Sequence, residues 1–104
     1  MRAVQLPYNI EAEEAVLGAI LINDEVMDDI VEFLNTDDFY RRNHRIIFST
    51  MLELHNEQSG IDNLTVVDRL SKKKLLGTVG GIAFVTALAN TVPTTANTSH
   101  YAKI

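Results

Sequence analysis

One stretch near the middle of the sequence brings together most of the side-chain types that bind ligands or do chemistry. Residues 37–48 contain two aspartates, an adjacent Phe-Tyr pair, three arginines and a histidine, and a long apolar pattern follows. Arginines contact the phosphates of nucleic acids, and histidine with carboxylates is a common ligand set for Zn²⁺. A third interpretation is that the stretch is simply the central helix of a small core.

A helical wheel separates these interpretations. At about 100° per residue, most apolar residues from position 44 onward fall within an arc of roughly 160°. The members of this arc are His44, Ile47, Phe48, Met51, Leu52, Leu54 and His55, and Tyr40 joins them if the helix begins that early. Arg42 and Arg45 fall on the other side, with Arg41 at the border. The pattern predicts an amphipathic core helix, with Tyr40 and His44 packed inward and Arg42 and Arg45 exposed as candidates for ion pairs or a partner contact.

Other groups that could bind a metal or exchange protons are poorly placed in the sequence. His44 and His55 are eleven residues apart, which separates them by roughly 16 Å along a helix, and no His-Glu-x-x-His pattern occurs. Glu11, Glu13 and Glu14 fit a helix N-terminus, where acids offset the positive end of the helix dipole, and no histidine is near them in sequence. We therefore predict no catalytic residues and no metal-binding residues.

The glycine-rich and lysine-rich segments also fit structural roles. Residues 77–81, Gly-Thr-Val-Gly-Gly, lack the preceding strand and the Gly-Lys-Ser/Thr ending of a phosphate-binding loop. They predict a turn between helices and no cofactor-binding residue. Residues 72–74 are three lysines at the end of a predicted helix, where positive charge offsets the dipole. Contact of the arginines in residues 41–45 with nucleic acid or with a protein stays an alternative to a solvated face.

The composition indicates one ordered domain. The 104 residues are 46% hydrophobic, contain no cysteine and carry a net charge of −5, which fits a single core without disulfides. The longest apolar run, residues 16–22, is far short of the ~20 residues of a membrane span, and the first seven residues do not resemble a signal peptide. We expect a cytoplasmic protein with no membrane partner.

The charge is unevenly distributed along the chain. Residues 1–38 carry ten acids and one base, a net −9, whereas residues 39–104 carry four acids and eight bases, a net +4. Such a polarised chain fits solvated helix faces, and it also permits complementary contacts with itself or with a partner.

Apolar periodicity and capping residues predict an all-α fold, a compact orthogonal bundle of about six helices. Besides the central helix, the predicted helices cover residues 10–22, 25–34, 65–73, 82–89 and 94–104. Asn9 is the predicted N-cap of the first helix. Thr65 is expected to start the fourth helix through a capping box with Asp68. The turn at 35–38 is expected to cap the central helix. Residues 1–8 form an N-terminal arm, residues 9–93 the globular helical domain, and residues 94–104 the start of a further helix.

Three segments, in order along the chain, resemble the N-terminal domain of DnaB-family bacterial replicative helicases. The first is residues 6–18, Leu-Pro-Tyr-Asn-Ile-Glu-Ala-Glu-Glu-Ala-Val-Leu-Gly, and the second is residues 38–44, Asp-Phe-Tyr-Arg-Arg-Asn-His, running into Ile47 and Phe48. The third begins at Gly80-Gly81 and continues through residues 90–97, Asn-Thr-Val-Pro-Thr-Thr-Ala-Asn, to Tyr101. Each segment is weak alone, but together they cover nearly the whole chain.

The resemblance implies a non-catalytic domain of a larger enzyme. The parent would be a hexameric, ATP-dependent DNA helicase that moves 5′ to 3′ on single-stranded DNA, with ATP and Mg²⁺ bound in a C-terminal RecA-like domain that is absent here. In the family, a helical hairpin follows the globule and pairs into dimers, three dimers form a collar, and the collar receives primase. The sequence ends at Ile104, and the resemblance implies that the hairpin would begin there, so we expect the chain to be truncated before the hairpin. Its expected setting is the replisome at replication forks in the nucleoid, with primase and a helicase loader as partners.

Five residues are candidates for interaction with such partners: Arg42, Arg45, His100, Tyr101 and Ile104. Two alternative functions fit the same sequence. One is the helicase-binding domain of a primase, which shares a helical fold with the helicase domain in this resemblance. The other is a small helical DNA-binding module, which would contact phosphates through residues 41–45 and 72–74 in a salt-sensitive manner.

Overall fold

The computed structural model describes residues 9–91 of the chain, and every regular element in that range is helical. The elements are α1 (Ile10–Ile22), a 3₁₀ turn (Asp24–Val26), α2 (Met27–Ile30), a second 3₁₀ turn (Thr36–Asp38), α3 (Arg42–Asn56), α4 (Asn63–Lys72), α5 (Leu76–Val79) and α6 (Gly81–Ala89). The prediction of an all-α fold with about six helices is confirmed. The helix predicted over residues 94–104 lies outside the described residues, as does the arm at 1–8.

Helix α1 runs through the core. The side chain of Asn9 caps it by accepting a hydrogen bond from the backbone N–H of Ala12 at 2.9 Å, as predicted. Downstream of the cap the helix is apolar almost all round, and Leu17 and Ile20 are fully buried. A helix that is apolar on every side must be covered by other elements, and α1 is accordingly packed against both α3 and α6.

Helix α2 is shorter than predicted. A helix was expected over residues 25–34, but only Met27–Ile30 is α-helical. Asn23 caps the preceding 3₁₀ turn through its side chain, and the chain after Ile30 continues as a turn. The acids on this segment lie three and four residues apart without a base among them. Because like charges at these spacings destabilise a helix, the segment forms only the one turn that Met27 and Ile30 anchor in the core.

Helix α3 is the central core helix that the wheel predicts, with His44, Ile47, Phe48 and Met51 fully buried. The prediction that Tyr40 faces the core is wrong, because that side chain is 56% exposed. Phe39 and Arg41 have extended backbone, the chain bends at residues 40–41, and α3 begins only at Arg42, so the helical wheel does not apply to Tyr40. Phe39 is instead the inward residue, and its ring centroid lies 4.9 Å from that of Phe48.

Two predicted helix starts are also wrong. The turn at 35–38 does not cap α3, whose N-cap is Arg41 with no capping side-chain bond. Helix α4 begins at Asn63, and its capping box joins Asp62 to Thr65 rather than Thr65 to Asp68. Asp62 accepts from the N–H of Thr65 at 2.8 Å, and the hydroxyl of Thr65 accepts from the N–H of Asp62 at 2.9 Å.

The glycine-rich segment contains a short helix, α5, where only a turn was predicted. Gly80 links α5 to α6 with φ of +121°, a conformation that disfavours other residues. A Cβ atom at this position would also lie 2.8 Å from the Cβ of Phe84. Glycine is therefore required at the tight corner that turns α6 back onto α1.

Candidate interaction surfaces

The histidine of the central helix belongs to a buried polar cluster. Nδ1 of His44 lies 2.7 Å from Oε1 of Glu13, which comes from α1. The other oxygen of Glu13 accepts from the N–H of Tyr40 at 2.7 Å, and the N–H of Arg41 approaches Oε1 at 3.5 Å. One carboxylate therefore fixes both the ring of His44 and the backbone that leads into α3.

The opposite edge of the ring faces a second carboxylate. Nε2 of His44 lies 3.5 Å from Oε2 of Glu14, within ion-pair range, but the geometry is not that of a hydrogen bond and this buried nitrogen has no hydrogen-bond partner among the described residues. The ring also stacks on Phe84, with centroids 6.1 Å apart. A histidine between two acids could transfer protons, but His44 is completely buried and no substrate can reach it. The cluster is structural.

The sequence did not indicate this cluster. In the sequence, Glu13 is only a favourable charge near a helix N-terminus, and no histidine is near it. The fold brings His44 to it from 31 residues away. No spacing rule connects residues on two different helices, so the pairing could be found only from the three-dimensional packing of α1 against α3.

Arg42 and Arg45, the two described interaction candidates, have different environments. Nη1 of Arg45 donates to the carbonyl of Phe39 at 3.0 Å and to that of Tyr40 at 2.6 Å. It thus holds the extended turn before α3. Arg42 is the first residue of α3 and is exposed. The candidates His100, Tyr101 and Ile104 lie outside the described residues.

A shallow groove with a volume of about 330 Å³ brings these arginines next to a lysine from another helix. We call it the basic groove. Its lining residues are Thr36, Asp37, Arg42, Arg45, Ile46, Ser49, Lys73 and Leu75. Lys73 follows α4 and also donates to Thr50 at 2.9 Å and to Glu53 at 2.8 Å. The sequence showed two separate basic segments, and the fold places them on one groove.

A charge network beside the groove ties α3 to α4. Arg69 on α4 binds Glu57 at 2.7 Å and Glu53 at 3.2 Å. The hydrogen bond from Lys73, helped by that from Arg69, lowers the pKa of Glu53, while Arg69 lowers the pKa of Glu57. The same bonds raise the pKa of Arg69 above its ordinary value. The network is partly exposed, so solvent screens it and its stabilising effect is modest.

The opposite end of α3 lies next to an acidic surface. Four exposed carboxylates project from the α2 segment, and we call them the acidic ridge: Glu25, Asp28, Asp29 and Glu32. His55, near the C-terminus of α3, approaches Asp28 with 3.9 Å between Nε2 and Oδ1. The basic groove and the acidic ridge therefore occupy opposite ends of the same helix.

Helix α6 presents an exposed surface without charge. No Asp, Glu, Lys or Arg occurs between residues 75 and 102. Asn63 at the start of α4 donates to the hydroxyl of Thr86 at 3.2 Å, which places the N-terminus of α4 beside α6. Among the exposed apolar side chains, Leu64 is 76% and Ile82 57% accessible. We call this surface the α6 face, and it comprises Leu64, Ile82, Ala83, Thr86 and Ala87.

Residues 9–91 contain no group of three or more His, Asp or Glu side chains that could hold a metal ion. Within the same range, no helix is both long enough and apolar enough to cross a membrane. The side chains that could transfer protons, His44 and Glu13, are buried and contact one another. The exposed surfaces of residues 9–91 include an uncharged helix face, a basic groove and an acidic ridge. These features define a small all-helical domain whose described surfaces differ in charge.

Comparison with known proteins assigns this domain to a family. Residues 5–104 match the model of the DnaB-like helicase N-terminal domain. The chain belongs to that family.

The chain is similar to part of several replicative helicases. It is 47% identical over 98 residues to the replicative DNA helicase DnaC of Bacillus subtilis and 39% identical over 98 residues to the replicative DNA helicase DnaB of Geobacillus stearothermophilus. Each alignment covers 94% of this chain but 22% of the relative. The chain thus spans about a fifth of the length of the relatives it matches.

The fold is similar to solved structures of the same family. The N-terminal domain of DnaB helicase from Mycobacterium tuberculosis superposes with a TM-score of 0.89 at 35% identity, over 92% of this chain and 70% of that one. A DnaB-like replicative helicase, in a structure described as showing its interactions with primase, superposes with a TM-score of 0.82 at 28% identity, over 91% of this chain and 22% of that one.

Proposed function

We propose that the chain is the non-catalytic N-terminal assembly domain of a hexameric replicative DNA helicase. The remaining part of the protein binds ATP and Mg²⁺ and unwinds DNA 5′ to 3′ on a single strand at replication forks in the cytoplasm. The N-terminal domains join as three dimers in a collar that recruits primase and accommodates a helicase loader. The observation that carries the assembly role is the uncharged α6 face on a domain of this family.

The α6 face has the composition of a protein interface. The centres of protein–protein interfaces are depleted in charged residues, and a solvated helix of a monomer normally carries charge on its outer side. Ala83 and Ala87, one turn apart, leave room for another backbone to approach. Ile82 and Leu64 are large apolar side chains that are still largely exposed, and full burial of each would contribute roughly 1.5–3 kcal/mol.

Recruitment of primase is supported by similarity. One structural neighbour is a DnaB-like replicative helicase whose structure is described as showing its interactions with primase. It shares this fold over 91% of the present chain. The alternative of a primase helicase-binding domain is less well supported, because the family match and the curated relatives are helicases. The third alternative, a small DNA-binding module, would use the basic groove, and binding of an oligonucleotide to the groove would distinguish it from assembly.

The test uses the full-length protein that carries this domain, with Ile82→Glu on the α6 face. Asn56→Glu adds the same charge at an exposed position at the far end of α3 and serves as the matched control. We expect Ile82→Glu to reduce both co-sedimentation with primase and primase-dependent stimulation of unwinding, while Asn56→Glu behaves as wild type. Wild-type behaviour of Ile82→Glu in both assays would contradict the assembly role of the α6 face. ATP hydrolysis at helicase rates by the 104-residue chain alone would contradict the non-catalytic role.

A further inference from the structure

The two arginines of the basic groove carry charges that no ion pair neutralises. Nη1 of Arg45 donates to the carbonyls of Phe39 and Tyr40, which are neutral acceptors, and Arg42 is exposed. Within residues 9–91, the ion pairs of lysine and arginine are made by Arg69, Lys72 and Lys73. Two guanidinium groups three residues apart on α3, and so neighbours on its surface, therefore keep their full positive charge beside one groove.

The lining of the groove is positive overall, even when the nearby acids are counted. Three bases and one carboxylate, that of Asp37, line it, which gives a net charge of +2. Lys73 is also paired with Glu53, which lies outside the lining, and including this acid leaves a net +1. Glu53 is in turn shared with Arg69. The acids around the groove therefore reduce its positive charge without removing it.

We propose that the basic groove binds a small anion that carries a diphosphate group, either a nucleoside diphosphate or inorganic diphosphate. A guanidinium group can bind phosphate oxygens through two parallel hydrogen bonds, and two such groups can engage two linked phosphates. The groove volume of about 330 Å³ lies at the lower end of the range for small-molecule sites. The site is separate from the α6 face and does not depend on the assembly function.

Several donors besides the arginine forks face the groove. Lys73 has three N–H donors, and two of them are used in its bonds inside the domain, which leaves one. Ser49 and Thr36 add hydroxyl groups to the lining. Because Arg45 and Lys73 are already held by internal hydrogen bonds, they lose little side-chain freedom when an anion binds, and such preorganisation favours affinity.

Two apolar side chains give the groove a surface for the rest of a nucleotide. Ile46 and Leu75 line the groove, and both are half-buried. A ribose or base attached to the diphosphate can cover their exposed parts, which removes apolar surface from water. Inorganic diphosphate cannot make this contact, so a comparison of the two anions reports whether the groove recognises the nucleoside as well as the phosphates.

A nucleic acid is a less suitable occupant of the groove. Residues 9–91 contain fourteen acids and seven bases, a net charge of −7. A strand that extends beyond the groove brings its phosphates close to these acids, which repel a polyanion. A diphosphate is small enough to stay within the groove. The surroundings therefore favour a small anion over a strand of nucleic acid.

The test titrates the 104-residue chain with ADP, inorganic diphosphate and orthophosphate, and follows the backbone amide shifts by NMR. We expect saturable binding of the two diphosphates, with shifts concentrated in residues 42–49 and 73–75. Orthophosphate cannot engage both guanidinium groups as two linked phosphates can, so it should bind about tenfold more weakly. Absence of saturable binding of both diphosphates up to about 10 mM, or orthophosphate binding as tight as theirs, would overturn the proposal.

Arg42→Gln and Arg41→Gln form a matched pair of variants. Both positions are exposed and both changes remove one positive charge, but only Arg42 lines the groove. We expect Arg42→Gln to weaken diphosphate binding at least about tenfold, because a charge-assisted contact is lost. Arg41→Gln should change it less than about twofold, because solvent and salt screen a charge outside the site. Circular dichroism checks that both variants are folded. Equal losses would indicate diffuse attraction and overturn the proposal.

Asp37→Asn should change the affinity in the opposite direction. It removes the one carboxylate of the lining, so diphosphate binding should strengthen about threefold because a repulsive charge is lost. A gain of affinity cannot come from damage to the fold. Asp29→Asn removes an exposed carboxylate outside the lining and should bind as wild type. Unchanged or weaker binding by Asp37→Asn would overturn the proposal.

The remaining comparisons identify the anion. Tighter binding of ADP than of inorganic diphosphate would support the proposal and assign the site to a nucleoside diphosphate, whereas ADP binding no tighter would support it and assign inorganic diphosphate. A short oligothymidylate that binds more tightly than ADP, with that binding lost in Arg42→Gln, would overturn the proposal and identify nucleic acid as the occupant. None of these results involves Ile82, so the test of the α6 face succeeds or fails independently.

Discussion

Oε1 of Glu13 lies 2.7 Å from Nδ1 of His44, and this buried contact joins α1 to the start of α3. The same carboxylate accepts from the N–H of Tyr40, so it receives two donors from one neighbouring segment. This carboxylate therefore ties α1 to both the segment before α3 and the first turn of α3.

Glu13→Gln should destabilise the domain strongly. An amide retains one acceptor oxygen for the N–H of Tyr40, but its NH₂ group can donate to Nδ1 of His44 only if the ring changes tautomer and moves its proton to the buried Nε2, which has no hydrogen-bond partner among the described residues. We expect a loss of roughly 2–3 kcal/mol in the free energy of unfolding, measured by urea denaturation. Glu11→Gln changes an exposed acid of the same helix and should cost far less. Equal losses for the two variants would contradict the role given to Glu13.

Gly80→Ala should lower the stability of the domain, whereas Gly77→Ala should raise it. At Gly80 an alanine adopts a disfavoured φ of +121° and meets Phe84 at 2.8 Å, so we expect a loss of roughly 1–3 kcal/mol. Gly77 lies inside α5 and a Cβ there meets no atom within 4 Å, so alanine should stabilise the domain by roughly 0.5–1 kcal/mol. Thermal unfolding of both variants tests the conformation of this corner. A higher melting temperature for Gly80→Ala would be inconsistent with a strained corner at Gly80.

Replacing Phe39 with alanine should destabilise the domain far more than replacing Tyr40, although the two aromatic residues are adjacent. Phe39→Ala removes a buried ring that packs on Phe48 and should cost roughly 3–5 kcal/mol. Tyr40→Ala removes a side chain that is more than half exposed and should cost much less. Denaturant midpoints of the two variants give the comparison, and similar midpoints would show that Tyr40 shares the core.

The Arg69 network should make stability depend on pH in the acidic range. Lys73 and Arg69 lower the pKa of Glu53, and Arg69 lowers that of Glu57, from an ordinary value of 4.5. A carboxyl group with a lowered pKa in the folded state contributes its stabilisation fully above the unfolded pKa and loses it as the pH falls through the folded pKa. The contribution of the network should therefore be complete at neutral pH and decline progressively as the pH falls below about 4.5, through the lowered pKa values of the folded state.

Arg69→Met tests this pH dependence because it keeps an apolar stem and removes the charge. The difference in unfolding free energy between wild type and Arg69→Met should be constant near neutral pH and shrink in acid. Lys72→Met removes an exposed pair with Asp68 and provides the comparison for a single surface ion pair. A difference between wild type and Arg69→Met that grows as the pH falls would have the wrong sign for carboxyl groups with lowered pKa values.

The sequence alone predicts those elements that depend on residues close together along the chain. The 3.6-residue pattern of α3 and the cap at Asn9 both appear in the fold, because each depends on residues within a few positions. The starts of α3 and α4 were less predictable, since two overlapping capping pairs, Asp62–Thr65 and Thr65–Asp68, compete for one helix end. Tyr40 was misplaced because the helix begins after it, which makes Phe39 the inward residue.

The surfaces were less predictable than the helices. The basic groove joins Arg42 to Lys73, 31 positions along the chain, and Glu13 meets His44 at a similar separation. Such pairings depend on how helices pack, and helical periodicity does not contain that information.

The most direct test of the assembly role is the mass distribution of the full-length protein carrying Ile82→Glu, measured by native mass spectrometry beside wild type and Asn56→Glu. If the α6 face joins neighbouring N-terminal domains, wild type and Asn56→Glu will be mainly hexamers and Ile82→Glu will shift to smaller species at the same concentration. A hexamer population in Ile82→Glu equal to that of wild type would contradict the central claim that this domain assembles the helicase through its α6 face.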